Sequence, residues 1–134
     1  MGIWFAGGSE LWERITKWVN AAKCRVLAAI AYVGVDAPQL LPLEEGDILV
    51  CDAEPWRVRA GSTSADALET FFERGVRIYS HRGLHAKVVV LHQRAFVGSS
   101  NASKNSRDNL DEAILETTDT AAVRGAMPVE PMVS

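Results

Sequence analysis

Leu84 to Asn101 reads LHAKVVVLHQRAFVGSSN. Two short apolar runs flank a polar tip around His92, which is the pattern of a strand, a tight turn and a second strand. A hairpin pairs its strands antiparallel, so a sheet that contains it is not wholly parallel. Side chains alternate faces along a strand, which puts His85, Lys87, Val89 and Leu91 on one face. Ser99 and Asn101 also share a parity. An imidazole, a fixed cation and short polar groups can thus converge on one anion. Taken singly, each is ordinary strand-end or turn chemistry; the combination makes the stretch distinctive.

The rest of the chain supplies elements to pack around that hairpin. Ser9 is an N-cap candidate, and Leu11, Ile15, Trp18, Val19 and Ala22 follow on one helical stripe. Trp4, Trp12 and Trp18 read as core or interface anchors. Arg25 to Val33 is an almost unbroken apolar run, as in a strand covered on both faces. Gly34 to Gly46 reads as a loop, and Asp47 to Cys51 as a second buried strand. Asp52 to Gly61, with Pro55, Trp56, Arg57 and Arg59, also reads as a loop. Thr63-Ser64-Ala65-Asp66 looks like a capping box opening a helix that buries Leu68, Phe71 and Phe72 and ends at Gly75. Val76 to Tyr79 is a third strand, Glu112 to Glu116 a final one, and Thr117-Thr118-Asp119 caps a last helical turn. This order predicts an α/β fold, a mixed β-sheet flanked by helices. A single domain is expected over residues 1–120, with 121–134 a tail or linker to an absent segment.

Composition narrows the class. The formal net charge of −3 argues against a domain held to nucleic acid by overall charge. A local basic patch is still available, because Arg82, Lys87, Lys104 and Arg107 flank the hairpin. Cys24 and Cys51 are the only cysteines, and both read as buried free thiols of a reducing compartment. Nothing has zinc spacing, no apolar run is long enough to span a bilayer, and the N-terminus has no signal-peptide pattern. A cytoplasmic location without stable membrane association is expected.

The hairpin and its flank resemble the phospholipase D superfamily. That family carries H-x-K, then four residues and an Asp, then six residues and G-S-x-N. His85, Lys87, Gly98, Ser99 and Asn101 match. An acidic residue about ten positions after the Asn is also usual, and simple alignment puts Asp111 there, or Glu112 if the alignment slips by one. The resemblance runs from about Val76 to Thr117. One position departs: the family Asp falls at 92, where this chain has His92, and the interval to Gly98 is one residue short. By parity His92 belongs at the turn, away from His85 and Lys87.

The resemblance implies metal-independent phosphodiester hydrolysis, with no cofactor. His85 would be the nucleophile. Lys87 and Asn101 would hold the non-bridging oxygens, and Ser99 would support the pocket. Asp111, or Glu112, would fix the imidazole tautomer; Ser100 and His81 are supporting candidates. Arg57, Arg59, Lys104 and Arg107 are candidates for nucleic-acid contact. Superfamily members use two motif copies and this chain has one, so a homodimer is expected, as in the small single-motif bacterial nucleases. Nucleic acid, DNA before RNA, is the expected substrate. Two alternatives are a weakly active or inactive nucleic-acid-binding or dimerisation module, and half of a two-motif phospholipid phosphodiesterase.

Overall fold

β2 (Val26–Ile30) and β3 (Ile48–Cys51) form the parallel centre of the sheet, with β4 (Arg77–Ser80) added parallel at one edge. All of β3 is buried, as expected of a strand covered on both faces. On the other side of β2 the chain turns antiparallel through β5 (Lys87–Leu91), β6 (Arg94–Gly98), β7 (Asp111–Thr117) and β1 (Gly2–Gly7). The seven strands run in the order β1-β7-β6-β5-β2-β3-β4. The computed structural model describes residues 2–99, 101–103 and 111–126, with 2–9 and 111–113 described by backbone alone. The mixed sheet flanked by helices is the expected fold; β1 was not legible in the sequence.

α1 (Gly8–Ala21) lies across one sheet face. Leu11, Trp12, Ile15 and Val19 are buried there against Ile30, Val89, Phe96 and Ile114. Each large apolar side chain buried in this way contributes roughly 1.5–3 kcal/mol. Trp12 is a core residue at 1% exposure, but Trp18 is 37% exposed. α4 (Ala65–Glu73) covers the same core with Ala67 and Phe71. Its Phe72, expected inside, is 74% exposed. The helix turns one residue later than the capping box suggested. Ser64 is the N-cap and accepts from the Ala67 N–H at 3.1 Å, while the buried Thr63 hydroxyl donates to the Asp52 carbonyl at 2.9 Å. Gly75 follows the helix with φ +87°.

The second face is more thinly covered, by Leu84 and Ala86 at one end and by α5 (Thr120–Ala126) at the other. Val123 of α5 is buried with Val90 and Ala95. Residues 121–126 therefore belong to the packed domain rather than to a tail. Asp119 caps α5 as expected, its carboxylate accepting from the Ala122 N–H at 2.9 Å. Two expected loops contain short helices, α2 (Ala37–Leu40) and α3 (Pro55–Arg59), each with a proline in its first turn. Cys51 is buried, but Cys24 is exposed.

Candidate active site

Strand direction brings the motif residues to one end of the sheet. β5 starts where β2 finishes, with Ile30 opposite Lys87, and β6 ends where β7 begins, with Gly98 opposite Ile114. The carboxyl ends of β2, β3 and β4 share this end. In open α/β sheets, sites form at the carboxyl ends of parallel strands where the strand order reverses.

The segment Ala31–Gly34, continuing β2, is the rail on which both halves of the motif are mounted. Ala31 N–H donates to the Ala86 carbonyl at 2.8 Å, between His85 and Lys87. Tyr32 N–H donates to Asn101 Oδ1 at 3.3 Å. Gly34 N–H donates to the Ala102 carbonyl at 2.8 Å, beside a parallel bridge between Val33 and Ala102. One side of the rail thus holds the H-x-K turn and the other the G-S-x-N turn. Lys87 emerges from the core beside Trp12, Ile15, Ile30, Val89 and Phe96. Packing along the stem leaves the ammonium to be aimed. Its Nζ lies 3.1 Å from the His85 carbonyl oxygen and 3.4 Å from His85 Nδ1. The His85 ring is exposed.

A second set of contacts holds the loop that precedes His85. Asp52, at the end of β3, is 1% exposed. Its carboxylate accepts from the Gly83 N–H at 3.2 Å and from the Glu54 N–H at 3.3 Å, and it pairs with Arg57 Nε at 3.4 Å. Gly83 has φ +75°, a conformation that glycine adopts without strain. Arg57 is therefore not a solvated loop cation: its guanidinium lies over the Tyr32 ring at 5.1 Å and the Trp56 ring at 3.9 Å. Burial and the neighbouring Asp52 charge push the Cys51 thiol up to about 12. His81 donates its backbone N–H to the Cys51 carbonyl at 2.8 Å, extending the β4 pairing at this end. Arg59 and Arg82 are exposed.

Ser99 is exposed and Asn101 half-buried. Ser100, Lys104 and Arg107 lie outside the described residues. Asp111 pairs with Gly7 and Glu112 with Ala6. Position 112 has the parity of Ile114, on the face that carries Lys87, and position 111 has the other parity. Sequence reasoning passed over Asp52, Tyr32 and Trp56. The signal for Asp52 was an acid directly after a fully apolar strand, where a parallel sheet ends.

His92 is far from this end. It occupies the β5–β6 turn with φ +48°, roughly 20 Å from His85 along the strand. A cleft of about 370 Å³ lies near it, lined by Trp18, Cys24, Leu91 and Arg94 among others. It sits at the opposite end of the sheet from the motif. Behind it Glu116 joins two arginines: Arg14 Nη2 donates at 2.9 Å, and Arg94 also pairs with it. The Arg14 hydrogen bond leads in holding the Glu116 carboxyl below the usual carboxylate range, with both arginine charges helping and burial opposing. Among the described residues no helix is long and apolar enough to cross a membrane.

Residues 22–127 match the family model described as cardiolipin synthase, phospholipase D-like domain. No curated protein matches. Among solved structures, NucT from Helicobacter pylori superposes with a TM-score of 0.75 at 16% identity, over 93% of this chain and 89% of that one. Nuc from Salmonella typhimurium, a phospholipase D family member, gives 0.70 at 13% identity, over 92% and 86%. Yeast tyrosyl-DNA phosphodiesterase gives 0.51 at 14% identity, over 87% of this chain and 31% of that one. At these identities the likeness is one of fold.

Proposed function

The chain belongs to the phospholipase D superfamily, and from that premise we propose that it is a metal-independent phosphodiesterase, a nuclease that works as a homodimer. The observation that carries this reading is the rail: Ala31–Gly34 holds Ala86 on one side and Asn101–Ala102 on the other. Lys87 Nζ stands 3.4 Å from His85 Nδ1 beside it. The resemblance to the small single-motif bacterial nucleases supports the substrate class, together with a fold shared with NucT and Nuc over most of their length.

In the proposed reaction a neutral His85 ring nitrogen attacks phosphorus. The N–P bond forms as the P–O bond to the leaving group breaks, splitting one difficult displacement into two. The leaving oxygen takes a proton from the imidazolium of the partner subunit's His85. Water then attacks phosphorus, the N–P bond breaks, and the water proton passes to that second imidazole. Lys87 and Asn101 stabilise charge on the non-bridging oxygens. Asp111 or Glu112 holds the His85 tautomer; their opposite parities mean that one of them serves. Comparing Asp111→Asn with Glu112→Gln identifies which.

The test is cleavage of an oligonucleotide in excess EDTA, comparing wild type with His85→Ala, with sedimentation of both. Cleavage by a dimeric wild type that falls by about a thousandfold or more in His85→Ala supports the reading. Cleavage that disappears with EDTA, or survives His85→Ala, refutes it.

A further inference from the structure

Trp56 is 49% exposed on a short helix, α3, that buries none of its residues. About half of the indole thus stays outside the core. Its position is nonetheless set. Arg57 places its guanidinium 3.9 Å from the centroid of the Trp56 ring and 5.1 Å from that of Tyr32. That guanidinium is anchored in turn by the buried Asp52 carboxylate at 3.4 Å. Tyr32 is bonded through its backbone N–H to Asn101 at 3.3 Å. Trp56, Arg57, Tyr32 and Asn101 thus form one continuous line leading into the motif.

We propose that Trp56 is a stacking platform for a nucleobase next to the scissile phosphate, which makes it a specificity residue for unpaired strands. The inference rests on the phosphodiesterase reading for its choice of occupant. Arg57 covers part of the ring, and the half-exposed remainder is available to a flat apolar partner. Aromatic faces accept any base, because every base has a π face. Exposed cations on the neighbouring segments suit a polyanion rather than an apolar protein surface: Arg59 on the same helix, and Arg82 on the loop before His85, which Asp52 ties to the start of α3. A base held in a duplex has both faces stacked, so this platform engages a base only once it is unpaired.

The experiment measures anisotropy of a fluorescein-labelled oligothymidylate in EDTA at low salt, with the wild-type residue at position 56, Trp56→Ala and Trp56→Phe, each carrying His85→Ala so that the probe is not cut. Each is measured against the intact strand, strands carrying one abasic position at successive sites, and a duplex. Trp56→Ala is expected to weaken single-strand binding about tenfold, with Trp56→Phe recovering most of it. Wild type is expected to bind one of the abasic strands more weakly, and Trp56→Ala to bind intact and abasic strands alike. Duplex affinity is expected to stay the same in all three proteins. The proposal is overturned if Trp56→Ala binds as wild type does, if it loses single strand and duplex equally, or if it lowers the sedimenting mass, which would make Trp56 a subunit contact. Absent binding to oligothymidylate overturns the platform, while cleavage of bis-(p-nitrophenyl) phosphate in EDTA by the protein with His85 intact would leave the phosphodiesterase reading standing. Binding with the Trp56 signature but no cleavage by the protein with His85 intact keeps the platform and removes the enzyme.

Discussion

A methyl group on Gly34 would lie 3.0 Å from the Cβ of Ser103 and 3.2 Å from its Cα. The rail after β2 and the turn after Gly98 therefore approach closely, and a side chain at position 34 would crowd that turn. Gly34→Ala must push the 101–103 turn away by a few tenths of an ångström. In the proposed reaction that turn carries Asn101, and small displacements of catalytic groups are costly, so kcat/KM is expected to fall by about tenfold or more. Strain of this kind costs roughly 1–3 kcal/mol in stability. Steady-state cleavage kinetics beside a thermal melt separate the two effects. Unchanged kcat/KM would detach the rail from the site.

Asp52 is expected to matter as much as any residue of the motif. It ties α3, the Gly83 turn and Arg57 to the end of β3. Asp52→Asn leaves the guanidinium without its charge partner and should cost about 3 kcal/mol, read as a lower urea midpoint. Removing Arg57 as well should recover part of that loss, because the pair is coupled. A double-mutant cycle showing simple additivity would count against the pairing.

The sequence revealed the strands and the hairpin because their signal is local. Apolar runs at 25–33 and 47–51 and the alternation through 87–97 need no tertiary knowledge. β1 was hidden because Gly2–Gly7 forms an edge strand paired with β7, more than a hundred positions later. The candidate site was half legible for a related reason. His85, Lys87 and Asn101 carry a spacing, whereas Asp52, Tyr32 and Gly34 act through contacts between distant loops that no spacing records. Phe72 and Cys24 were misplaced because composition does not say which side of a helix or loop meets the core.

Thiol reactivity offers an inexpensive check of that last point. Cys24 is exposed, while Cys51 is buried with its thiol pushed up to about 12. The thiolate is the reactive form. Iodoacetamide at pH 8 is expected to label Cys24 in the native protein and both cysteines after unfolding, as mass spectrometry of the peptides would show. Native labelling of Cys51 at a comparable rate would contradict the packing of β3.

Glu116 should make the fold acid-sensitive. Its carboxyl titrates lower in the folded chain, where Arg14 and Arg94 hold it, than in the unfolded chain, near 4.5. Between those two values the unfolded chain binds more protons, so acid favours unfolding. The stability contributed by Glu116 is complete above pH 4.5 and is lost as pH falls through the folded value. Glu116→Gln is expected to cost about 2 kcal/mol at neutral pH and to flatten the dependence below it. Urea midpoints from pH 3 to pH 7 for both proteins test this; parallel curves would refute it.

His92 stands where the family motif has an acid, but its setting in the β5–β6 turn separates it from the chemistry. With φ +48° it holds a conformation that a side chain with a Cβ adopts at a cost. Glycine is free of that cost and Asp and Asn tolerate it better. His92→Gly is therefore expected to raise stability by up to about 1 kcal/mol without changing the sheet. His92→Asp, which restores the family residue, is expected to change kcat by less than about twofold, because the turn lies roughly 20 Å along the strand from His85. Melting temperature and EDTA-resistant cleavage of both variants check the pair of statements. A large gain of activity in His92→Asp would mean that the tip of the hairpin reaches the site in the active assembly, and that the hairpin is more than a mount for His85 and Lys87.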